Sequence, residues 1–187
     1  IHVGGAYGDK DSALERFCTN FQRLQQSAQA RLTVENDDKA SMYSVHDLYY
    51  GVYGIIGIPI VFDYHHHKFC PGDLTEEAAL KLAAKTWPEG TKQCTHYSES
   101  RRREQSLIVE EFLSKSSISL NNLGDFPAME KLYKESGKIR VQAHSDLIVD
   151  EIKDYGLDID VVVEAKHKEL ATQGYLKKYK NTLQEVL

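Results

Sequence analysis

Cysteine is scarce: Cys18, Cys70 and Cys94 are three in number, show no C-x-x-C spacing and sit in unrelated contexts. An odd, scattered set excludes a disulfide framework and predicts reduced thiols in an intracellular compartment. Long hydrophobic runs are missing too. No stretch reaches the roughly 18 apolar residues of a spanning helix, and the start lacks a charged-then-apolar leader, so a soluble protein with no membrane partner is expected. There is no excess of positive charge. A formal net charge of -5 and a pI near 5.9 argue against a generally basic nucleic-acid coat, although bound cations would offset clustered carboxylates. Repeats, low-complexity tracts and linkers are absent, and the Ser-rich stretch from Ser114 to Ser119 is too short to separate domains. A single domain over residues 1–187 is the economical expectation. What the chain does have is ordinary core material, 41% hydrophobic and 10% aromatic.

That material is arranged as apolar runs alternating with helical periodicity. Ile1 to Val3 resembles a strand end, with no methionine before it, so the chain reads as the later part of something longer. Gly4, Gly5 and Gly8 make a turn. Asp9 or Asp11 can then cap a helix carrying Ala13, Leu14, Phe17, Phe21 and Leu24. Arg31 to Val34 is β-favourable and runs into the polar cluster Glu35, Asn36, Asp37 and Asp38. Met42 to Ile56 predicts a helix stopped by Gly57, before the buried run Ile60 to Phe62 that ends at Asp63. Thr75 to Trp87 predicts a helix with Thr75 as cap, closed by Pro88 and Gly90. Lys92 to Ser98 predicts a strand carrying His96, and helices are expected over Arg101 to Ser114 and Gly124 to Ser136, the latter stopped by Gly137. Lys138 to Ala143 is ambiguous between strand and loop, and Asp158 to Val163 predicts a strand delivering Glu164 into a helix from about Lys168 to Val186. Five clear strands followed by helices make a βα series, which fits a barrel or an open parallel sheet.

Strand ends carry the chemistry in this series. His2, Glu35, Asp63 with His66, His96 and Glu164 each close an apolar run, and His144 is a weaker candidate because its strand is uncertain. Parallel strands joined by crossover helices would bring these distant residues to one edge. Taken singly, each has a bland reading: an acid at a water interface, a hydrogen-bonded strand-end histidine, a surface histidine tract. Their shared register is the argument for a metal site. Carboxylate and imidazole together suit Mn²⁺, Zn²⁺ or Fe²⁺ better than Ca²⁺. Seven convergent groups could hold two or three divalent ions and hydrolyse a phosphodiester without a protein nucleophile, with Glu35 and Glu164 as the candidate catalytic residues. His65 and His67 are expected behind the ligands or facing DNA. Lys10, Arg101, Arg102, Arg103, Lys166 and Lys168 could grip phosphates, the alternative being solvated charge.

The order of these motifs resembles a known family. HVGG at His2, LTVENDD at Leu32 to Asp38, IPIVFDYHHH at Ile58 to His67, THYSES at Thr95 to Ser100, AHSD at Ala143 to Asp146 and VVVEAKHKELA at Val161 to Ala171 resemble the UV damage endonucleases. The likeness runs in order over nearly the whole chain. It implies an α/β fold of the endonuclease IV type, a TIM barrel of which this chain supplies about five of eight βα units at the C-terminal side. It also implies a metal-dependent DNA repair endonuclease that nicks damaged double-stranded DNA 5′ to ultraviolet photoproducts and so starts excision. The family's ligands fall on His2, Glu35, Asp63, His66, His96, His144 and Glu164, with Mn²⁺ the expected cofactor and Zn²⁺ or Mg²⁺ the alternatives. Such an enzyme would work in a bacterial cytoplasm and nucleoid or a eukaryotic nucleus, with no obligate protein partner. Two departures stand out. The family's lysine two residues before the strand histidine is Cys94 here, a thiolate that could still bind metal or be replaced by Lys92. The family's first three barrel strands, with a further ligand histidine, have no counterpart ahead of Ile1.

Two other readings share the residues. A sugar isomerase or epimerase on the same barrel also sets Glu, Asp and His around divalent ions, and an inactive metal- or DNA-binding remnant would keep the ligands without incision. Five βα units alone would also leave strand edges and a barrel interior exposed, so self-association is expected of the isolated segment.

Overall fold

The computed structural model describes residues 1–180, and the end of the expected last helix, from residue 181 to Val186, lies outside them. The chain falls into two compact units: residues 1–97 with 153–162, and residues 98–152 with those from 163 onward. In the first unit, α1 (Lys10–Gln22) begins where Asp9 accepts a hydrogen bond from the Ser12 amide, as expected of an Asp cap. It buries Ala13, Leu14, Cys18 and Phe21 and leaves Leu24 exposed beyond its end. The short α2 (Gln26–Gln29) leads to β1 (Val34–Glu35). The helix expected over Met42 to Ile56 starts later, at α3 (Val45–Leu48), because Ser44 and Asp47 form a reciprocal capping box there. It then widens into a π-helical turn at Tyr49–Tyr53 before α4 (Gly54–Ile56), and Gly57 (φ 68°) ends it in the left-handed conformation. Gly51 sits in that turn because any Cβ there would come within 2.6 Å of Leu14 Cδ1.

The strand β2 (Ile60–Asp63) is buried throughout and passes directly into α5 (Tyr64–His67), which Asp63 caps by accepting from the His66 amide at 2.7 Å. Then come α6 (Glu76–Ala84), capped by Thr75 as expected, and β3 (Gln93–Tyr97). Thr86 couples the two layers: its hydroxyl donates to the last turn of α6 at Ala83 O and accepts from the Ile60 amide. With β4 (Ile159–Val163), the strands form one four-stranded sheet in the order β1-β2-β3-β4, parallel at β1–β2 and β2–β3. The core packs Val34, Ile60 and Phe62 with Leu48, Val52, Ala79, Leu80 and Ala83.

Four strands rather than five are present among the described residues. Ile1 to Val3 meets β1 at a single rung: the Ile1 amine donates to Thr33 O and its carbonyl accepts from the Glu35 amide, the two bonds of a parallel pairing opposite Val34, as expected of a strand end, and His2 and Val3 add no further rung. Residues 138–143 are irregular, followed by a single antiparallel bridge between Ser100 and His144. None of the described helices is long and apolar enough to cross a membrane.

The second unit holds α7 (Arg101–Ser116), a 3₁₀ turn at Leu120–Asp125, α8 (Pro127–Ser136) and α9 (Glu169–Tyr175), the last continuing as a π turn at Leu176–Lys180. The helix expected from Gly124 begins instead at Pro127, which excludes Phe126 from helical backbone. Phe112 of α7 meets Phe126 edge to face at 5.1 Å between ring centroids.

Two buried acids organise the loop that follows His144. Glu104 accepts from the amides of Asp146 and Leu147, both at 2.8 Å, and Glu99 accepts from those of Val149 at 3.1 Å and Asp150 at 2.8 Å. Arg103 lies 3.7 Å from Glu99 and offsets its charge. A carboxylate taking two main-chain N–H groups leaves both unsatisfied when removed. Glu104→Ala is therefore expected to lower stability by about 1–3 kcal/mol. It should also speed amide hydrogen exchange at Asp146 and Leu147, whereas Glu104→Gln should do less of both; chemical denaturation and exchange mass spectrometry measure the two effects.

Candidate metal centre

Strand register places the ligand side chains. Glu35 pairs with Val61, Asp63 pairs with His96, and Val61 and Asp63 lie two residues apart, so Glu35, Asp63 and His96 share one face of the sheet. His66 reaches the same face from the first turn of α5, and His2 from the segment bonded to the β1 edge.

Glu35 is the shared member. His96 Nδ1 lies 3.0 Å from Glu35 Oε1, His66 Nδ1 3.5 Å from the same oxygen, and His2 Nε2 3.6 Å from Oε2. Two sets of three offer ligand atoms within 4.8 Å of one another: His2, Glu35 and His66, and Glu35, Asp63 and His96. Both include Glu35, so the two sets overlap at one carboxylate. Glu35 is 8% exposed and Asp63 0%, so two acids are buried among three imidazoles. Burial by itself would push the Glu35 carboxyl up, but the His96 hydrogen bond and the charges of His96, His2 and His66 hold it below the ordinary carboxylate range. His2, bonded through Nδ1 to Asp37 at 3.0 Å, is raised by that bond despite partial burial, with the Glu35 charge adding to it. Two carboxyl groups, Glu35 held ionised, with borderline imidazole donors are a donor set fit for a divalent transition cation.

The remaining expected ligands form a pair of their own in the second unit. His144 Nδ1 lies 3.0 Å from the main-chain oxygen of Glu164 and 3.8 Å from its Oε2. Among the expected phosphate-binding residues, Lys10 is paired with Asp47 at 3.0 Å and Arg101 with Asp146 at 3.6 Å, while Arg102, Lys166 and Lys168 are exposed. Lys168 is held at φ 46°, ahead of α9.

The histidine tract divides in a way the sequence does not show. Only His66 of the three joins the ligand set; His65 and His67 are 1% and 5% exposed, which rules out a DNA-facing role. His65 packs against Phe69 and His67 against Phe62, because a four-residue helix starting inside the sheet turns these two rings into the core. Burial pushes the His67 imidazole below its ordinary value. Cys94 is half-buried, and burial, then Asp160 and Glu35, raise its thiol, so it is a protonated thiol near neutrality. Lys92 is committed elsewhere, at 2.8 Å from Asp158 and 3.7 Å from Asp160. Asp37 and Asn36 take part in the site without having been singled out; their signal was adjacency to Glu35 in the ENDD run.

Comparison with known proteins bears on this arrangement directly. The family model described as UV-endonuclease UvdE matches residues 1–186. The UV-damage endonuclease of Schizosaccharomyces pombe is 33% identical over 185 residues, covering 96% of this chain and 25% of that protein. The UV DNA damage endonuclease of Bacillus velezensis is 34% identical over 173 residues, covering 91% of this chain and 45% of its own length. The crystal structure of SacUVDE superposes with a TM-score of 0.67 at 24% identity, over 97% of this chain and 50% of that one, which shows a shared fold. The chain thus spans half or less of the length of these relatives. A family match from the first residue to the penultimate one, together with relatives alike over nearly all of its length, places this chain in the UV-endonuclease UvdE family.

Proposed function

We propose that this chain forms part of a divalent-metal-dependent DNA repair endonuclease, a phosphodiester hydrolase that nicks double-stranded DNA 5′ to ultraviolet photoproducts. The single observation that carries the reading is the Glu35 carboxylate shared between two three-residue ligand sets in a chain of the UvdE family. The relatives' names, which speak of UV damage, supply the substrate class.

The residues that would hold the cations are His2, Glu35, Asp63, His66 and His96, and the same role is proposed for His144 and Glu164 on the strength of their own pairing. Divalent cations at such a site make water a nucleophile at neutral pH and screen the charge of a phosphodiester. Mn²⁺ is the proposed occupant, since two carboxylates among imidazoles match its preferences, with Zn²⁺ or Mg²⁺ as substitutes. The chain's own part is orientation. Asp63 is fixed by its cap bond to the His66 amide, and Glu35 is held ionised by its three imidazole neighbours. Glu35 and Glu164 are the proposed catalytic carboxylates. Lys166, Lys168 and Arg102 are the proposed phosphate contacts, and Lys10 and Arg101 would have to leave their present carboxylate partners to join them.

We also infer that the sheet belongs to a TIM barrel. Its spatial order follows the sequence without reversal, β1-β2-β3-β4, as in a barrel, whereas a doubly wound sheet reverses at a switch point.

The deciding experiment is incision of irradiated against unirradiated duplex DNA by the metal-loaded protein. Nicking confined to the irradiated duplex, abolished by chelation and restored by Mn²⁺, is the expected result. Glu35→Gln should lower incision by more than the about 10- to 100-fold typical of partners outside a metal's ligand set. Mn²⁺ binding without incision at any enzyme concentration would make the protein a metal-binding remnant instead.

Protons should compete with the metal at His2. Its folded value in the metal-free protein is raised, so the His2–Asp37 pair stabilises that form below the ordinary value of about 6.5 and loses its contribution as pH rises through the raised value. Metal affinity runs the opposite way and should climb across the same window. Asp37→Asn is expected to move the climb to lower pH, and calorimetric titration of Zn²⁺ at a series of pH values reads the shift.

A further inference from the structure

Asn36 is fully buried immediately after Glu35, where β1 leaves the ladder. Its side chain makes both bonds of a main-chain rung. Nδ2 donates to Asp63 O at 3.1 Å, and Oδ1 accepts from the Asp63 amide at 2.9 Å. The carboxamide thus takes the place that a strand neighbour would occupy beside Asp63, beyond the last β1–β2 register pair of Glu35 with Val61. Meanwhile the main-chain oxygen of Asn36 lies 2.8 Å from His66 Nδ1. A carbonyl oxygen can only accept, so Nδ1 carries a proton, and in the neutral ring the lone pair is then on Nε2.

We propose that Asn36 is the positioning residue of this centre: its carboxamide brackets the main chain of Asp63, and its carbonyl, held in place by that bracket, fixes the proton of His66 on Nδ1, which makes Nε2 the nitrogen that would ligate a cation. The inference rests on the proposed metal site. The second unit repeats the contact: His144 Nδ1 likewise sits 3.0 Å from a main-chain carbonyl, that of Glu164, which places the proton of that ring on Nδ1 too. A histidine whose second nitrogen donates to a carbonyl has both its tautomer and its ring plane set before metal arrives, which removes an ordering cost from binding.

The residue type follows from the two bonds. A carboxamide offers one donor and one acceptor at this reach without having to take up a proton. Asp at this position would present a second acceptor to the Asp63 carbonyl and add a buried negative charge beside Glu35 and Asp63. Gln is longer by one methylene in a fully packed position.

The test is two-bond ¹H–¹⁵N spectroscopy of the protein labelled at its histidine ring nitrogens, in metal-free form over a series of pH values, paired with calorimetric Zn²⁺ titration. Loss of one ring's signals in His66→Gln identifies that ring. The expected result is a single Nδ1–H tautomer for His66 in the natural sequence, a mixed population in Asn36→Ala, and Zn²⁺ affinity about 10- to 100-fold weaker in that variant. Asn36→Asp should weaken binding in the same direction through loss of the donor. A natural protein with His66 protonated on Nε2, or an Asn36→Ala variant with tautomer and affinity unchanged, would overturn the proposal. Should Asn36→Ala fail to fold, the spectrum of the natural protein decides by itself. A protein showing the Nδ1–H tautomer and binding Zn²⁺, yet leaving irradiated DNA intact, would support this inference and overturn the nuclease reading, so the two fail separately.

Discussion

Everything at the centre answers to the Glu35 carboxylate. Its two oxygens lie within 3.6 Å of nitrogens from three different histidines, each brought by a separate part of the chain: the first residues, the start of α5, and β3. A buried anion in that position is tolerable only with such neighbours, because desolvation alone would neutralise it. The elements around it can therefore be understood by what they deliver to Glu35. The register of β1 on β2 and of β2 on β3 puts the acid, Asp63 and His96 on one face; the immediate turn from β2 into α5 adds His66.

The supporting chemistry is mostly main chain. Asp63 caps α5 while presenting its carboxylate, Asn36 completes the ladder with a side chain, and Glu99 and Glu104 gather four amides in the second unit. In each case a short polar side chain meets backbone groups at a place where regular secondary structure stops. Such places are where unsatisfied N–H and C=O groups accumulate, and where irregular backbone can aim side chains that a straight strand could not.

Much of this was legible in the residues. The strand-end pattern picked out His2, Glu35, Asp63, His66 and His96, and the structure brings ligand atoms of the other four within 4.8 Å of Glu35 in two sets of three, while His144 and Glu164 pair with each other. Asp9 and Thr75 were readable as caps because N-cap preference is a local property. What escaped depends on tertiary geometry. Pro127 fixed a helix start that periodicity placed earlier, and the expected strand at Ile1 to Val3 is limited to one parallel rung at Ile1. The burial of His65 and His67 follows from the orientation of a four-residue helix, which no spacing rule encodes. Asn36, Glu99 and Glu104 are polar residues beside polar residues, and nothing in the string distinguishes them from solvated neighbours until their hydrogen-bond partners are known.

The π-helical turn at Tyr49–Tyr53 ties two distant positions in the chain into one steric unit. With Leu14 Cδ1 occupying the space where a side chain at position 51 would begin, a residue larger than glycine there requires the Leu14 side chain to turn aside, so the rotamer of a residue in α1 and the identity of a residue in the π turn are set together.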